Sequence, residues 1–125
     1  MPQISKKVSS GQNVLEEIII EAAASKKAER IALISLSKVD GAPVGKMVVC
    51  EGRTPMQVNA ITEAVSDAVA LKLRLHPLAT AGRSGSIWIA SDYGEIIFHV
   101  MTAEARNRYA LEDLWSDAEI TWIQE

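Results

Sequence analysis

The chain of 125 residues contains very little cysteine, which limits the kinds of site it can build. Its single cysteine, Cys50, lies at the end of the apolar run 47–50. One cysteine excludes an intramolecular disulfide scaffold and a cysteine-based zinc site. The pattern therefore predicts a buried thiol in a reducing compartment.

Long apolar runs are also missing. No segment approaches the roughly 18 to 20 apolar residues that a membrane-spanning helix requires. The lysines near the N-terminus are not followed by the apolar segment of a secretory signal, so we expect a cytoplasmic protein. Internal repeats, low-complexity tracts and linkers are absent from the sequence as well.

The charge balance gives no excess of positive charge. Thirteen lysines and arginines against 16 aspartates and glutamates leave a net charge of −3 at pH 7. Such a chain has no global attraction to nucleic acid, and we expect a protein partner rather than direct, sequence-specific binding of nucleic acid.

Composition and length predict one globular domain. Hydrophobic residues make up 48% of the chain and charged residues 23%, which is ordinary for a soluble domain. A chain of this length can bury a core without disulfides or metals. We place a polar lead-in at residues 1–12 and a single α/β domain at residues 13–125.

Two helices are predicted in the first part of this domain. Apolar residues at helical spacing follow Asn13, which we interpret as the cap of the first helix. The second helix begins with Thr54 as its cap and Pro55 at its first position, while Gln57 can complete a capping box. Its apolar spacing continues to about residue 73.

Strands are predicted between and after these helices. The nearly continuous apolar run 29–36 indicates a strand that is covered on both faces, and a second strand follows at 46–50. A further short strand is predicted at 75–79. A loop at 82–85 then leads into the stretch 86–115.

The stretch 86–115 predicts a β-hairpin and a helix. Its strands, 87–91 and 95–101, are rich in β-branched and aromatic residues. The turn between them suits Gly94, which can adopt a positive φ, and Asp92, which can bond the turn backbone. The apolar face of the helix that follows consists of Leu111, Leu114 and Trp115.

The predicted order is helix, strand, strand, helix, short strand, hairpin and helix. This order indicates an α/β fold in which a mixed sheet is flanked by helices, in two or three layers.

The stretch 86–115 also resembles the C-terminal signature of the iojap-like ribosome silencing factors. That signature is a tryptophan strand, an Asp-Tyr/Leu-Gly turn, a strand ending in His-Val and an Arg-x-x-Tyr-x-Leu-Glu-x-Leu-Trp helix. The matching positions are Trp88, Asp92, Gly94, His99, Val100, Arg106, Tyr109, Leu111, Glu112, Leu114 and Trp115. The resemblance extends over roughly residues 14–118.

This resemblance implies a fold, a function and a partner. The fold is similar to a nucleotidyltransferase core, with a mixed sheet flanked by helices. The function is that of a translation repressor without enzymatic activity, cofactor or metal. It would bind the large-subunit ribosomal protein numbered fourteen at the intersubunit face and block subunit joining. The family also implies a homodimer in isolation.

The N-terminal half departs from the family pattern at two places. The second strand of the family usually begins Ala-Asp-Tyr/Phe, where this chain has Val44, Gly45 and Lys46. The second helix of the family usually begins Ser-Ser-Arg-His/Gln, where Met56 replaces the arginine. Both departures bear on partner specificity.

A β-hairpin does not require a tryptophan at position 88 or a histidine at position 99, and each of these residues has two interpretations. His99 is either a hydrogen-bonded core residue, the more common case, or a contact residue beside Asp92. Strand alternation separates Trp88 from Ile87 and Ile89. If the isoleucines face the helices, Trp88 needs other cover, and a protein partner is one candidate.

The charged residues near the turn give little support for an enzyme. Asp92 and Glu95 resemble a catalytic pair, but the Gly85-Ser86 dipeptide is not followed by the Asp-x-Asp of nucleotidyl transfer. A nucleotidyltransferase-type enzyme remains the alternative, together with a large-subunit assembly factor that uses the same docking site. Arg106, Arg108 and Glu112 are interpreted as a charged helix surface.

The predicted site is therefore a partner-binding patch rather than a reaction centre. Its residues are Trp88, Asp92, Tyr93, Glu95, His99 and Arg106. An acidic patch of this kind suits a basic ribosomal protein, because complementary charges speed the encounter.

Overall fold

The computed structural model describes residues 11–36, 45–109 and 118–123. Within these ranges three helices flank a single mixed sheet of six strands, which confirms the predicted α/β fold. The helices are α1 (Gly11–Ser25), α2 (Pro55–Leu73) and α3 (Ala103–Tyr109). The strands are β1 (Glu29–Ser35), β2 (Lys46–Gly52), β3 (Ala79–Ala81), β4 (Trp88–Asp92), β5 (Ile96–Thr102) and β6 (Glu119–Trp122).

The sheet has the strand order β3-β4-β5-β2-β1-β6. Its central pair, β2 and β5, runs parallel, so both strands end at the same edge, with Gly52 opposite Thr102. The other neighbouring pairs of described strands are antiparallel. The parallel pair thus places the start of α2 and the start of α3 side by side.

Helices cover both faces of the sheet, which makes three layers. The larger core joins α1 and α2 to one face, through side chains such as Ile19, Ile61 and Phe98. The smaller core lies on the opposite face, where Ala105 of α3 packs with Met101. None of the described helices is long and apolar enough to cross a membrane.

The start of α2 confirms the predicted cap. The hydroxyl of Thr54 accepts a hydrogen bond from the Gln57 N–H at 3.1 Å, and Pro55 is the first helical residue. The Gln57 side chain accepts from the Arg53 N–H at 2.7 Å. Its amide nitrogen also donates to the carbonyls of Lys26 and Lys27, each at 3.2 Å. Gln57 therefore joins the start of α2 to the end of α1.

The hairpin turn is also confirmed. The Asp92 carboxylate accepts from the Gly94 N–H at 2.8 Å, and Gly94 has a φ of +92°. The two hairpin strands each lie one residue later than predicted, at Trp88–Asp92 and Ile96–Thr102.

Three features of the fold differ from the prediction. Helix α1 begins at Gly11, so Asn13 lies inside the helix and not at its cap. The short strand occupies Ala79–Ala81 rather than 75–79, because Pro77 cannot donate a ladder hydrogen bond and pairing begins with the Leu78 N–H to the Asp92 carbonyl. Strand β6 was not predicted, and it pairs with β1 at the edge of the sheet.

Several predictions fall outside the described residues. These are most of the lead-in, the departure at Val44, and the packing of Leu111, Leu114 and Trp115. The burial of Cys50 is confirmed, since its side chain is fully enclosed between the sheet and the helices.

Candidate functional site

Trp88 and His99 lie on the same face of the β4–β5 pair. His99 is opposite Ala90 in the antiparallel register, and Trp88 is opposite Met101, so the two rings are diagonal neighbours. The indole Nε1–H of Trp88 donates a hydrogen bond to Nδ1 of His99 at 2.9 Å. The ring centroids are 5.8 Å apart. This bond fixes the orientation of the indole.

The hydrogen bond also defines the charge state of His99. Because Nδ1 accepts a hydrogen bond, it carries no proton, so the imidazole is neutral and its proton is on Nε2. Burial disfavours the charged form and lowers the pKa of His99 to about 4. His99 is therefore a neutral residue that positions Trp88. It does not face Asp92, which pairs with Ile97.

Trp88 is half-buried, and part of its cover comes from α3. Its ring centroid lies 4.8 Å from that of Tyr109, with the two planes inclined at 44°. Ile89 is fully buried under the other face of the sheet, as the predicted alternation requires. Ile87 does not share that environment, since it precedes the strand and is 52% exposed.

The turn residues divide between the two faces. Tyr93 is buried in the larger core with α1 and α2, on the opposite face from Trp88. Burial raises the pKa of Tyr93, and the Ser66 hydroxyl and the Arg83 charge partly offset this rise. Asp92 is half-buried and Glu95 is exposed. Tyr93 thus supports the turn from beneath, and the two carboxylates remain at the surface.

Arg106 is buried, so our interpretation of it as part of a charged helix surface was wrong. Its Nη1 donates to the Arg30 carbonyl and lies 3.4 Å from the Glu51 carboxylate. Arg30 also reaches this carboxylate, at 3.5 Å. The indole of Trp122 covers both guanidinium groups, with centroid distances of 5.4 Å to Arg106 and 5.5 Å to Arg30.

This cluster explains why the sequence pattern was misleading at Arg106. Helix α3 is short, and alternate arginines at 106 and 108 look alike in the sequence. Only Arg106 meets a buried acid on β2, and only the unpredicted strand β6 brings Trp122 onto it. Arg108, by contrast, is exposed as predicted. Arg106 therefore holds α3 to the sheet.

The side chains that could bind a metal ion or take part in catalysis are scattered over the described part of the chain. No three side chains of His, Cys, Asp or Glu come together there in a group that could hold a metal ion. The Cys50 thiol is enclosed, and this burial raises its pKa to about 12. A groove at the carboxyl ends of β2 and β5 was not predicted from the sequence, because its walls come from three segments that are distant in the chain, 53–55, 82–88 and 102–109.

Comparison with protein families gives a match over nearly the whole chain. Residues 9–125 match the family described as "Ribosomal silencing factor during starvation". The protein named ribosomal silencing factor RsfS from Halalkalibacterium halodurans is 28% identical over 109 residues, or 87% of this chain and 91% of that protein. The protein of the same name from Bacillus subtilis is 27% identical over 107 residues, or 86% of this chain and 89% of that one.

Solved structures share the fold. A crystal structure of a protein from Chromobacterium violaceum has a TM-score of 0.79 and 24% identity, and the match covers 91% of this chain and 92% of that one. A second, from Bacillus halodurans, has a TM-score of 0.71 and 24% identity over 82% of this chain and 93% of that one.

Proposed function

The chain belongs to the ribosomal silencing factor family, and from this membership we propose that it represses translation by binding the large ribosomal subunit. The observation that supports the proposal is the family match over residues 9–125. Its action would be steric and would require no chemical step. A cytoplasmic location and a homodimer in isolation are part of the same proposal.

The proposed partner is the large-subunit ribosomal protein numbered fourteen, at the intersubunit face. A protein bound at that face occupies the surface onto which the small subunit must dock. Ribosomal proteins are basic, so a contact surface with exposed carboxylates favours a fast encounter.

The proposed contact surface is the hairpin face, which we define as Trp88 and Asp92 on β4, Glu95 in the turn and, buried beside the indole, His99 on β5. Trp88 offers a half-buried ring that His99 holds in one orientation. A preorganised tryptophan is a frequent centre of a protein interface, since little side-chain freedom is lost on binding. Asp92 and Glu95 supply the negative charge.

Two further residues of the predicted patch support this surface from inside. Tyr93 fills the core beneath the turn, and Arg106 anchors α3, whose Tyr109 packs on Trp88. Their substitution would act on binding through the shape of the hairpin face, since neither side chain is accessible.

An assay of subunit joining, monitored by light scattering, tests the proposed function. Large subunits are incubated with the protein before small subunits are added, and the reverse order of addition serves as the control. Repression predicts a dose-dependent loss of the joining signal that is strongest when the protein is added first. Unchanged joining at saturating protein would refute the proposal.

A further inference from the structure

An open groove of about 650 Å³ lies at the carboxyl ends of β2 and β5, the parallel pair. The residues that follow these strands, Arg53 and Ala103, both line it. Ligands of open α/β sheets bind in crevices at this edge of the sheet. The volume is also in the range of small-molecule sites.

One wall of the groove is built on a loop that lies close against β4. Gly82 lines the groove with a φ of +95°, and a Cβ on this residue would lie 2.0 Å from the Trp88 carbonyl oxygen. The loop therefore packs directly on the backbone of β4. The opposite side comes from the start of α2 at Pro55 and from α3.

The groove presents an accessible aromatic surface. Trp88 and Tyr109 line it together with Ile87, and Tyr109 is 48% exposed. The hydrogen bond to His99 fixes the indole, and Tyr109 packs against it at 4.8 Å. Two adjoining rings with a free face offer a stacking platform for a planar ligand, as in proteins that bind unpaired bases.

The charged residues of the groove favour an anion. The charged lining residues are two arginines, Arg53 and Arg108, and one acid, Glu104. The lining therefore has a formal charge of +1, although the net charge of the chain is −3. Arg108 lies 3.8 Å from Glu104. Arg53 pairs with Glu29 at 2.9 Å. Exposed pairs of this kind contribute little to stability, so both guanidinium groups can turn to a ligand.

We propose that this groove binds a nucleoside phosphate, with the base against Trp88 and Tyr109 and the phosphate paired with Arg53 and Arg108. Arginine recognises phosphate by two parallel hydrogen bonds. A free nucleotide and an unstacked nucleotide of an RNA strand offer the same chemistry. The groove shares Trp88 with the hairpin face but differs from it in charge, since Asp92 and Glu95 are not among its lining residues.

The indole N–H signal of Trp88 provides a direct test in the intact chain. The chain contains three tryptophans, and Trp88→Phe identifies the signal of Trp88 in a ¹H–¹⁵N spectrum. We expect a saturable shift of this signal with adenosine and guanosine triphosphates. Inorganic phosphate alone and nucleosides alone should give a much smaller shift at the same concentration.

Variants separate the two halves of the site. Arg108→Gln and Arg53→Gln should each weaken nucleotide binding roughly tenfold, because each removes a charged hydrogen bond. Tyr109→Leu should weaken it by a similar factor through lost stacking. Lys72→Gln is the matched control, since it removes an exposed positive charge from the last turn of α2, about 25 Å along the helix from the groove.

The outcomes decide the proposal. Binding that is lost in the three groove variants and kept in Lys72→Gln supports it. A short single-stranded RNA that binds much more tightly than the free nucleotides would identify RNA as the source of the ligand. The proposal is wrong if no Trp88 shift saturates at millimolar nucleotide, if the variants bind like the parent chain, or if inorganic phosphate binds equally well.

Discussion

The indole N–H of Trp88 is hydrogen-bonded to Nδ1 of His99 across the β4–β5 pair, at 2.9 Å. The bond requires an unprotonated Nδ1, so the position of the most prominent ring on the hairpin face depends on the charge state of a buried imidazole. Burial keeps that imidazole neutral at physiological pH by lowering its pKa to about 4. Folding and the proposed contact surface are therefore coupled through His99.

This coupling predicts a pH dependence of stability. Unfolded His99 takes up a proton near its ordinary pKa of 6.5, whereas folded His99 stays neutral down to about 4. The unfolded state therefore binds more protons in this window, and the free energy of unfolding falls as the pH falls from 6.5 toward 4. Through His99, the free energy of unfolding falls by at most about 3 kcal/mol across this window, and none of it is lost well above pH 6.5.

Urea unfolding at pH values between 7.5 and 4.5 measures this effect. Because carboxylates also titrate at the acidic end, the informative quantity is the difference between the parent chain and His99→Gln. That difference should shrink steadily as the pH falls. His76→Gln, at the exposed second histidine, is the control and should follow the parent chain. A constant difference across the pH range would contradict the prediction.

Arg106 should matter for folding far more than its neighbour Arg108. Arg106→Met leaves the buried Glu51 with the partly exposed Arg30 as its remaining guanidinium contact. Removal of one member of a buried charge cluster costs about 3 to 5 kcal/mol. Arg108→Met, at an exposed position two residues later, should change stability by less than about 0.5 kcal/mol. Similar losses for both variants in chemical denaturation would show that the cluster around Glu51 does not hold α3.

The cap of α2 should show a graded response. Thr54→Ala removes the acceptor for the Gln57 N–H and should cost about 1 kcal/mol, while Thr54→Ser should keep most of the stability. Gln57→Ala should cost more than Thr54→Ala, because it also removes the hydrogen bonds to the end of α1. Thermal unfolding of the three variants gives the order, and a Gln57 loss smaller than that of Thr54 would contradict it.

Cys50 should be unreactive in the folded protein. Its thiol is fully enclosed and its pKa is raised to about 12, so the thiolate that reacts with disulfide reagents is scarce at pH 8. Labelling with an aromatic disulfide reagent should follow global unfolding as urea is increased. Rapid labelling of the folded chain would show that the core around β2 opens locally.

Most of the features that the sequence predicts correctly depend on residues that lie close together in the chain. The cap at Thr54 and the turn at Gly94 depend on residues within three or four positions of one another, and each was recognised from its residue types. The mixed sheet followed from the order of elements. The residue types that make these local hydrogen bonds lie next to one another in the chain, which is why the sequence alone sufficed to predict them.

The misread features depend on contacts between distant segments. Arg106 looked like a surface residue because its partners, Arg30 and Glu51, are 76 and 55 residues away. The edge strand β6 has only four residues, and it becomes a strand by pairing with β1. The sequence allows two interpretations of His99, and only the register of β4 against β5 reveals that it bonds Trp88.

The hairpin face is the proposed contact surface for the large subunit. Its sharpest test uses the double variant Asp92→Asn and Glu95→Gln, which removes two charges while the asparagine retains the oxygen that accepts from Gly94. The control is Glu21→Gln with Asp67→Asn, which removes two exposed charges from α1 and α2 on the other side of the sheet.

The decisive measurement is the dissociation constant of each double variant for purified large subunits, at one fixed ionic strength. The hairpin variant should bind roughly tenfold more weakly than the parent chain, with an unchanged unfolding midpoint. The control variant should bind within about twofold of the parent chain, given the small effect of distant charges under screening. Equal affinity of the hairpin variant and the parent chain would contradict the claim that this face is the contact surface.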